Sequence, residues 1–213
     1  MSPSPGHKVG WQYWTAGTLL VVLFGGCALF HDPTLSDAVR TPRLLWLSAS
    51  TAALMLLALL APKQGWSGNM ATAARSPIGL VWLGWIAVSL SSMGSAYNPG
   101  EAWYELMHML VFFFAFLALC GFFSDARLQR LGILILNVLV PVITAICIYQ
   151  YLWLKYTPYS YQLSLRVEAW FANQNILLMA YLLLLPTALF YALTGTGWRR
   201  WLGIVNVLTV LVS

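Results

Sequence analysis

Charge is what this chain has least of. Only 8% of its 213 residues are Asp, Glu, Lys or Arg, where a soluble domain carries about a quarter. With 60% hydrophobic residues, that scarcity excludes an ordinary soluble domain and marks an integral membrane protein. Acidic motifs are missing as well. No DxD pair, HExxH, GxSxG or glycine-rich phosphate loop occurs, so the sequence offers no metal site and no nucleotide cradle. Cysteine is nearly absent: Cys27, Cys120 and Cys147 each sit alone in an apolar run, without the spacing of a disulfide framework or zinc site. The net charge of +5 comes from single or paired basic residues in short gaps between apolar runs. That placement is the pattern of membrane orientation signals and not of a nucleic-acid-binding surface.

Apolar runs and aromatic residues make up the rest. Residues 1–14 form a short leader ending in Trp11, Tyr13 and Trp14, and residues 15–213 read as one membrane domain. The apolar runs cover 15–30, 44–61, 78–92, 103–123, 131–154, a sixth ending near Leu193, and 201–213. Phe24 disfavours signal cleavage at FGGC, so the first run reads as an uncleaved helix. The stretches 62–77, 124–130 (SDARLQR) and 194–200 (TGTGWRR) read as loops, and Tyr97-Asn98-Pro99-Gly100 as a tight turn. Thirteen residues from Trp201 onward reach only about 20 Å at 1.5 Å per residue, short of a hydrocarbon core of roughly 30 Å. The expectation is an all-α polytopic membrane protein with about six complete transmembrane helices and a truncated seventh, the N-terminal half of a longer protein.

Orientation follows from the basic residues. A cytoplasmic N-terminus places Lys8, Lys63, Arg75, Arg127, Arg130, Arg199 and Arg200 inside, and Arg40, Arg43, Lys155 and Arg166 outside. The larger group belongs in the cytoplasm, so the sequence predicts N-in. The Arg166 loop and the Asn98 turn then face outward.

Two outward stretches carry candidate chemistry. The first is Arg166–Pro186, RVEAWFANQNILLMAYLLLLP. Asn173 suits an N-cap, and an Arg near a helix N-terminus is an anion site in waiting. The plainer reading is a capped transmembrane helix with an interfacial Arg. The second is the start of the fourth span, where Glu101, Glu105 and His108 recur at i, i+4, i+7. A carboxylate beside an imidazole suits acid/base work or sugar hydroxyls, whereas acids at a helix start also simply complement its dipole. The rings between Tyr149 and Trp170 suit sugar stacking or, more simply, an interfacial aromatic belt. Asn137 and Gln150 inside the fifth span predict interhelical hydrogen bonds, and Pro141 and Pro186 predict kinks.

The RVEAWFANQN–ILLMAYLLLLP stretch resembles the O-antigen ligase and O-antigen polymerase superfamily of bacterial envelope enzymes. In that family an outward loop ends in an Arg, followed by a Phe-Gly-Asn-Pro-Asn-like motif and a helix of the form xLAxYLxLxLP. Arg166 stands at the Arg, Phe171 at the Phe, Asn173 and Asn175 at the two Asn and Pro186 at the helix Pro, while Ala172 and Gln174 replace the Gly and Pro. The segment SLSSMGSAYNPGEAWYEL likewise resembles the family's Ser-x-Asn-Pro segment. The resemblance implies glycosyl transfer outside the bacterial cytoplasmic membrane from a glycan on undecaprenyl pyrophosphate. The acceptor would be lipid A core sugar, another glycan or a protein. It implies no metal or nucleotide cofactor, and a pyrophosphate held by Arg166 beside Asn173 and Asn175. Glu105 and His108 are further substrate-binding candidates from their spacing. The family's catalytic Arg and His belong to a later outward loop, expected beyond Ser213. A secondary transporter or lipid-linked glycan flippase, with its site at the proline breaks, is the alternative. A non-catalytic membrane scaffold is a third possibility.

Overall fold

A computed structural model describes residues 10–29, 40–156 and 174–212. Among these residues the regular structure is entirely helical: α1 (Trp11–Leu29), α2 (Arg40–Leu60), α3 (Trp66–Ala74), α4 (Pro77–Ser92), α5 (Pro99–Phe123), α6 (Ala126–Tyr156), α7 (Gln174–Thr194) and α8 (Trp198–Val212), with 3-10 turns at Pro62–Gln64 and Met93–Ser95. Five spans are long and apolar enough to cross a membrane: α1, α2, α4 together with the 3-10 turn to Ser95, α5 and α6. The described apolar part of α7, Leu178–Thr194, is shorter than that, and α8 has 15 residues. The protein is an all-α, multi-pass membrane protein. Where the sequence suggests one membrane domain, the helices group into two compact units. One comprises residues up to Cys27 with Arg43–Gly132, and the other Ala28–Pro42 with Ile133–Ser213.

The first unit corrects the 62–77 stretch from loop to helix. Gly65, at φ 73°, turns the chain in the left-handed region open to glycine, and α3 starts at the next residue. Trp66 and Met70 lie one turn apart and are both buried. Trp66 packs on Phe122 of α5 at 4.5 Å between ring centroids, with Tyr13 of α1 edge-on to it at 5.6 Å. A Cβ on Gly121 would stand 2.7 Å from Met70 Cγ, so the glycine lets α3 lie flush on α5. Period-3.6 burial of two large side chains outweighs the Gly and Ser content that reads locally as loop.

Capping explains the other boundary corrections. Ser76 Oγ accepts the Gly79 amide at 3.1 Å with Pro77 at the first helical position, which starts α4. Asn98 Oδ1 accepts the Glu101 amide at 3.3 Å, so α5 begins at Pro99 and absorbs half of the tight turn. Asp125 Oδ1 accepts the Arg127 amide at 2.8 Å, which makes Ala126–Arg130 the first turn of α6 and not a loop. The second Asp125 oxygen accepts the Tyr13 hydroxyl at 3.0 Å, tying α1 to the α5–α6 junction.

Helices α1 and α2 meet where Trp46 Nε1 donates to the Val22 carbonyl at 2.7 Å. A Cβ on Gly26 would fall inside the indole of Trp46. Gly26→Ala is therefore expected to displace the ring and destabilise this hairpin by about 1–3 kcal/mol, the usual range for overpacking. Thermal unfolding in detergent measures it. Because the clash is with one side chain, Gly26→Ala should add little when Trp46→Ala is already present.

In the second unit α7 and α8 form a hairpin through Gly195–Gly197, with Gly197 at φ 56°. Trp198–Arg200, expected in the loop, are the first turn of α8. Gly203 of α8 lies against the α7 backbone at Ala188, Tyr191 and Ala192. The helices approach there through small residues, the mode by which membrane helices associate when burial from water is not available to drive them.

Candidate functional site

The candidate on α5 is built on its first three turns. Asn98 caps the helix through its Oδ1, and its side-chain Nδ2 donates to Glu101 Oε2 at 3.5 Å, which ties the first acidic side chain to the cap residue. Glu101 and Glu105 are exposed, and Glu105 is engaged within the protein. His108, one turn further along the same stripe, is buried. Its Nδ1 lies 2.9 Å from the Tyr104 carbonyl, which can only accept, so Nδ1 carries the proton. The Tyr104 ring stands edge-on to the imidazole, 4.2 Å between centroids. Nε2 is buried with no hydrogen-bond partner.

The spacing of Glu105 and His108 thus puts both groups at one end of α5 without a hydrogen bond between them. The imidazole is oriented by backbone, not by a carboxylate. An imidazole held through Nδ1 leaves Nε2 for a hydroxyl, the group a sugar would offer.

Of the other sequence-selected residues, Arg166 and Asn173 lie outside the described residues, and with them the N-cap assigned to Asn173. Asn175 lies in the first turn of α7, and Pro186 lies inside that helix. Tyr149 and Tyr151, at the end of α6, are exposed. The three cysteines are free thiols. Among the described residues no group of three His, Cys, Asp or Glu side chains is placed to hold a metal ion.

A second polar cluster lies inside the second unit. Pro141 has no N–H, so the Asn137 carbonyl four residues earlier loses its helical partner. Asn206 of α8 supplies one: its Nδ2 donates to Asn137 O at 2.8 Å and to Asn137 Oδ1 at 3.2 Å. Asn137 Nδ2 in turn donates to Ile133 O at 3.0 Å and across to Thr187 O of α7 at 3.1 Å. Both Asn side chains are fully buried. Near them, Thr144 Oγ1 donates to Val140 O at 2.8 Å, which leaves it as acceptor for the Tyr181 hydroxyl at 2.9 Å. Three helices are thus held at a proline break by amides that read Asn137 correctly as an interhelical donor. Asn206 is also a lone amide in an apolar run, but no motif, charge or spacing around it marks it out.

No protein family, curated protein or solved structure matches the chain. What the fold and sites define is therefore a class: a multi-pass, all-α membrane protein with a capped, histidine-bearing helix end and a buried amide clamp.

Proposed function

We propose that this chain is the membrane domain of a glycosyltransferase of the O-antigen ligase and polymerase type, working at the outer face of a bacterial cytoplasmic membrane. The carrying observation is the run from Arg166 through Phe171, Asn173 and Asn175 into a helix bearing Pro186. The start of α7 at Gln174, between the two Asn positions, supports the reading.

On this reading the donor is a glycan on undecaprenyl pyrophosphate, and the N-terminus is cytoplasmic. The bond from the sugar's anomeric carbon to the pyrophosphate oxygen breaks as an acceptor oxygen attacks. The acceptor hydroxyl, on lipid A core, a second glycan or a protein, passes its proton to the departing pyrophosphate oxygen or to water, and undecaprenyl pyrophosphate leaves. Arg166 and the positive end of α7 hold the departing charge, where donors count most in the transition state. His108 and Glu105 would contact sugar hydroxyls near the start of α5. A transporter site at the Pro141 break is less favoured, because Asn206 already fills the freed carbonyl there.

Arg166→Ala tests the reading. Surface glycan transfer in the native host should fall by two to three orders of magnitude, as when one oxyanion-stabilising donor is removed, with protein levels in the membrane unchanged. Transfer at the normal rate would exclude Arg166 from this role.

A further inference from the structure

The end of the first unit that carries α3 is basic and nearly without acid. Helices α2 and α5, both long enough to cross a membrane, end there at Leu60 and Phe123, and α6 begins there at Ala126. This end therefore stands at the level of lipid headgroups. Across it lies α3, seated by Trp66 and Met70 and fastened to the α5–α6 junction by Asn69 Nδ2, which donates to Ser124 Oγ at 2.7 Å. The face that α3 turns outward is small: Gly68, Asn69, Ala71 and Thr72 are all exposed, and a Cβ on Gly68 would meet open space. No bulky side chain on that face screens what flanks it.

Four cations flank it. Lys63 precedes α3 and Arg75 is its C-cap. Arg127 and Arg130 stand one turn apart at the start of α6, with Leu128 between them buried. The start of α6 is tied to the start of α3, because Tyr13 stands edge-on to Trp66 and donates to Asp125, two residues before Arg127. All four cations are exposed, and among the described residues none of them makes a salt bridge. Asp125 is the one acid at this end, and both its oxygens are taken, by the Tyr13 hydroxyl and the Arg127 amide. The other acids of the unit are Glu101 and Glu105, at the far end of α5. About 27 Å of helix separates Glu105 from Phe123, well beyond the roughly 10 Å over which exposed charges act in 0.1 M salt.

We infer that this end of the unit is a platform for anionic phospholipids, with α3 lying among their headgroups and their phosphodiesters held by Lys63, Arg75, Arg127 and Arg130. Charge selects the occupant: four exposed cations face one occupied carboxylate, and a zwitterionic headgroup brings no net charge to balance them. A bilayer supplies the missing anions at the level where the spans end. The short helix that buries two large side chains and shows a small outer face is the shape that lies in a headgroup layer. The platform does not depend on the proposed glycosyl transfer or on which side of the membrane it faces.

The experiment reconstitutes the whole protein in nanodiscs of phosphatidylcholine and phosphatidylglycerol, doped with one or the other lipid carrying a diazirine on its headgroup. Adducts are located by peptide mass spectrometry. Phosphatidylglycerol adducts should concentrate on residues 62–75 and 126–130 and exceed phosphatidylcholine adducts there by about fivefold or more, the ratio one interfacial basic residue supplies. Lys63→Gln, Arg75→Gln, Arg127→Gln and Arg130→Gln together should bring the two lipids level. Arg75→Lys, Arg127→Lys and Arg130→Lys together should keep the preference, because a surface charge is needed and not a bidentate fork. If the Gln variant fails to fold, raising salt to about 1 M should level the two lipids in the unaltered protein, since the screening length falls to about 3 Å. Equal labelling by the two lipids at low salt, adducts no denser here than at the Glu101 end of α5, or a preference that survives the Gln substitutions would each overturn the inference. So would loss of the preference to inorganic phosphate at constant ionic strength, which would make the site one for free phosphate. Retention of polyglutamate with equal labelling by the two lipids would assign the patch to an acidic protein segment instead.

Discussion

Asn206→Leu is expected to cost roughly 2 kcal/mol of stability, and Pro141→Ala is expected to return part of it. The loss follows from the hydrogen-bond geometry. Leucine removes the donor at 2.8 Å from Asn137 O and leaves that buried carbonyl with no N–H, because residue 141 is proline. Asn137 Oδ1 loses its partner too. A buried unsatisfied acceptor costs about 1–3 kcal/mol, while interhelical hydrogen bonds in bilayers average nearer 0.6 kcal/mol. The higher value is favoured here because the carbonyl has no helical alternative. Pro141→Ala supplies that alternative, an i to i−4 N–H, so the double variant should be less destabilised than the sum of the singles. Reversible unfolding in bicelles across the four-protein cycle measures the coupling. Additive effects would show that Asn206 does not serve the proline break.

The second large effect is expected at Gly203. A Cβ there would lie 2.3 Å from Ala192 N, 2.7 Å from Tyr191 C and 2.8 Å from Ala188 O. All three are backbone atoms, which cannot swing aside as a side chain can. Gly203→Ala must therefore push α7 and α8 apart, at about 1–3 kcal/mol for the methyl alone and more for Gly203→Leu. Gly84→Ala is the matched control, since nothing lies within 4 Å of its Cβ position. It should be neutral or slightly stabilising through helix propensity. The same bicelle unfolding assay reads both. Equal effects at the two glycines would remove the close approach as the reason for glycine at 203.

The two cases differ in how far local sequence reaches. A lone asparagine in an apolar run announces a hydrogen bond in a medium without water, and Asn137 is recognisable for that reason. Which group it meets depends on Pro141 being four residues on and on α8 returning alongside α6. Gly203 announces nothing, because glycine in a membrane helix marks close packing only once the opposing backbone is in place.

The N-terminal end of α5 shows the same boundary. Asn98, Pro99 and Glu101 specify a helix start through backbone hydrogen bonding within four residues, so that start is readable, and only its position needed shifting from Trp103 to Pro99. The stripe of Glu101, Glu105 and His108 is likewise a consequence of 3.6 residues per turn. Burial changes along it, however, and leaves the acids exposed while His108 turns to the Tyr104 carbonyl.

Charge scarcity and long apolar runs determine the class of this protein by themselves, because solvation energetics act on composition. A polar segment cannot cross the hydrocarbon, so the apolar helices long enough to cross it are legible as such in the sequence. The amphipathic α3 was not, since its helicity rests on Trp66 and Met70 meeting α5. Tertiary structure alone decided which acceptor Asn206 fills and where the helices approach closely at Gly203 and Gly121. Each of these depends on a distance between residues far apart in the chain, and no local propensity encodes that distance.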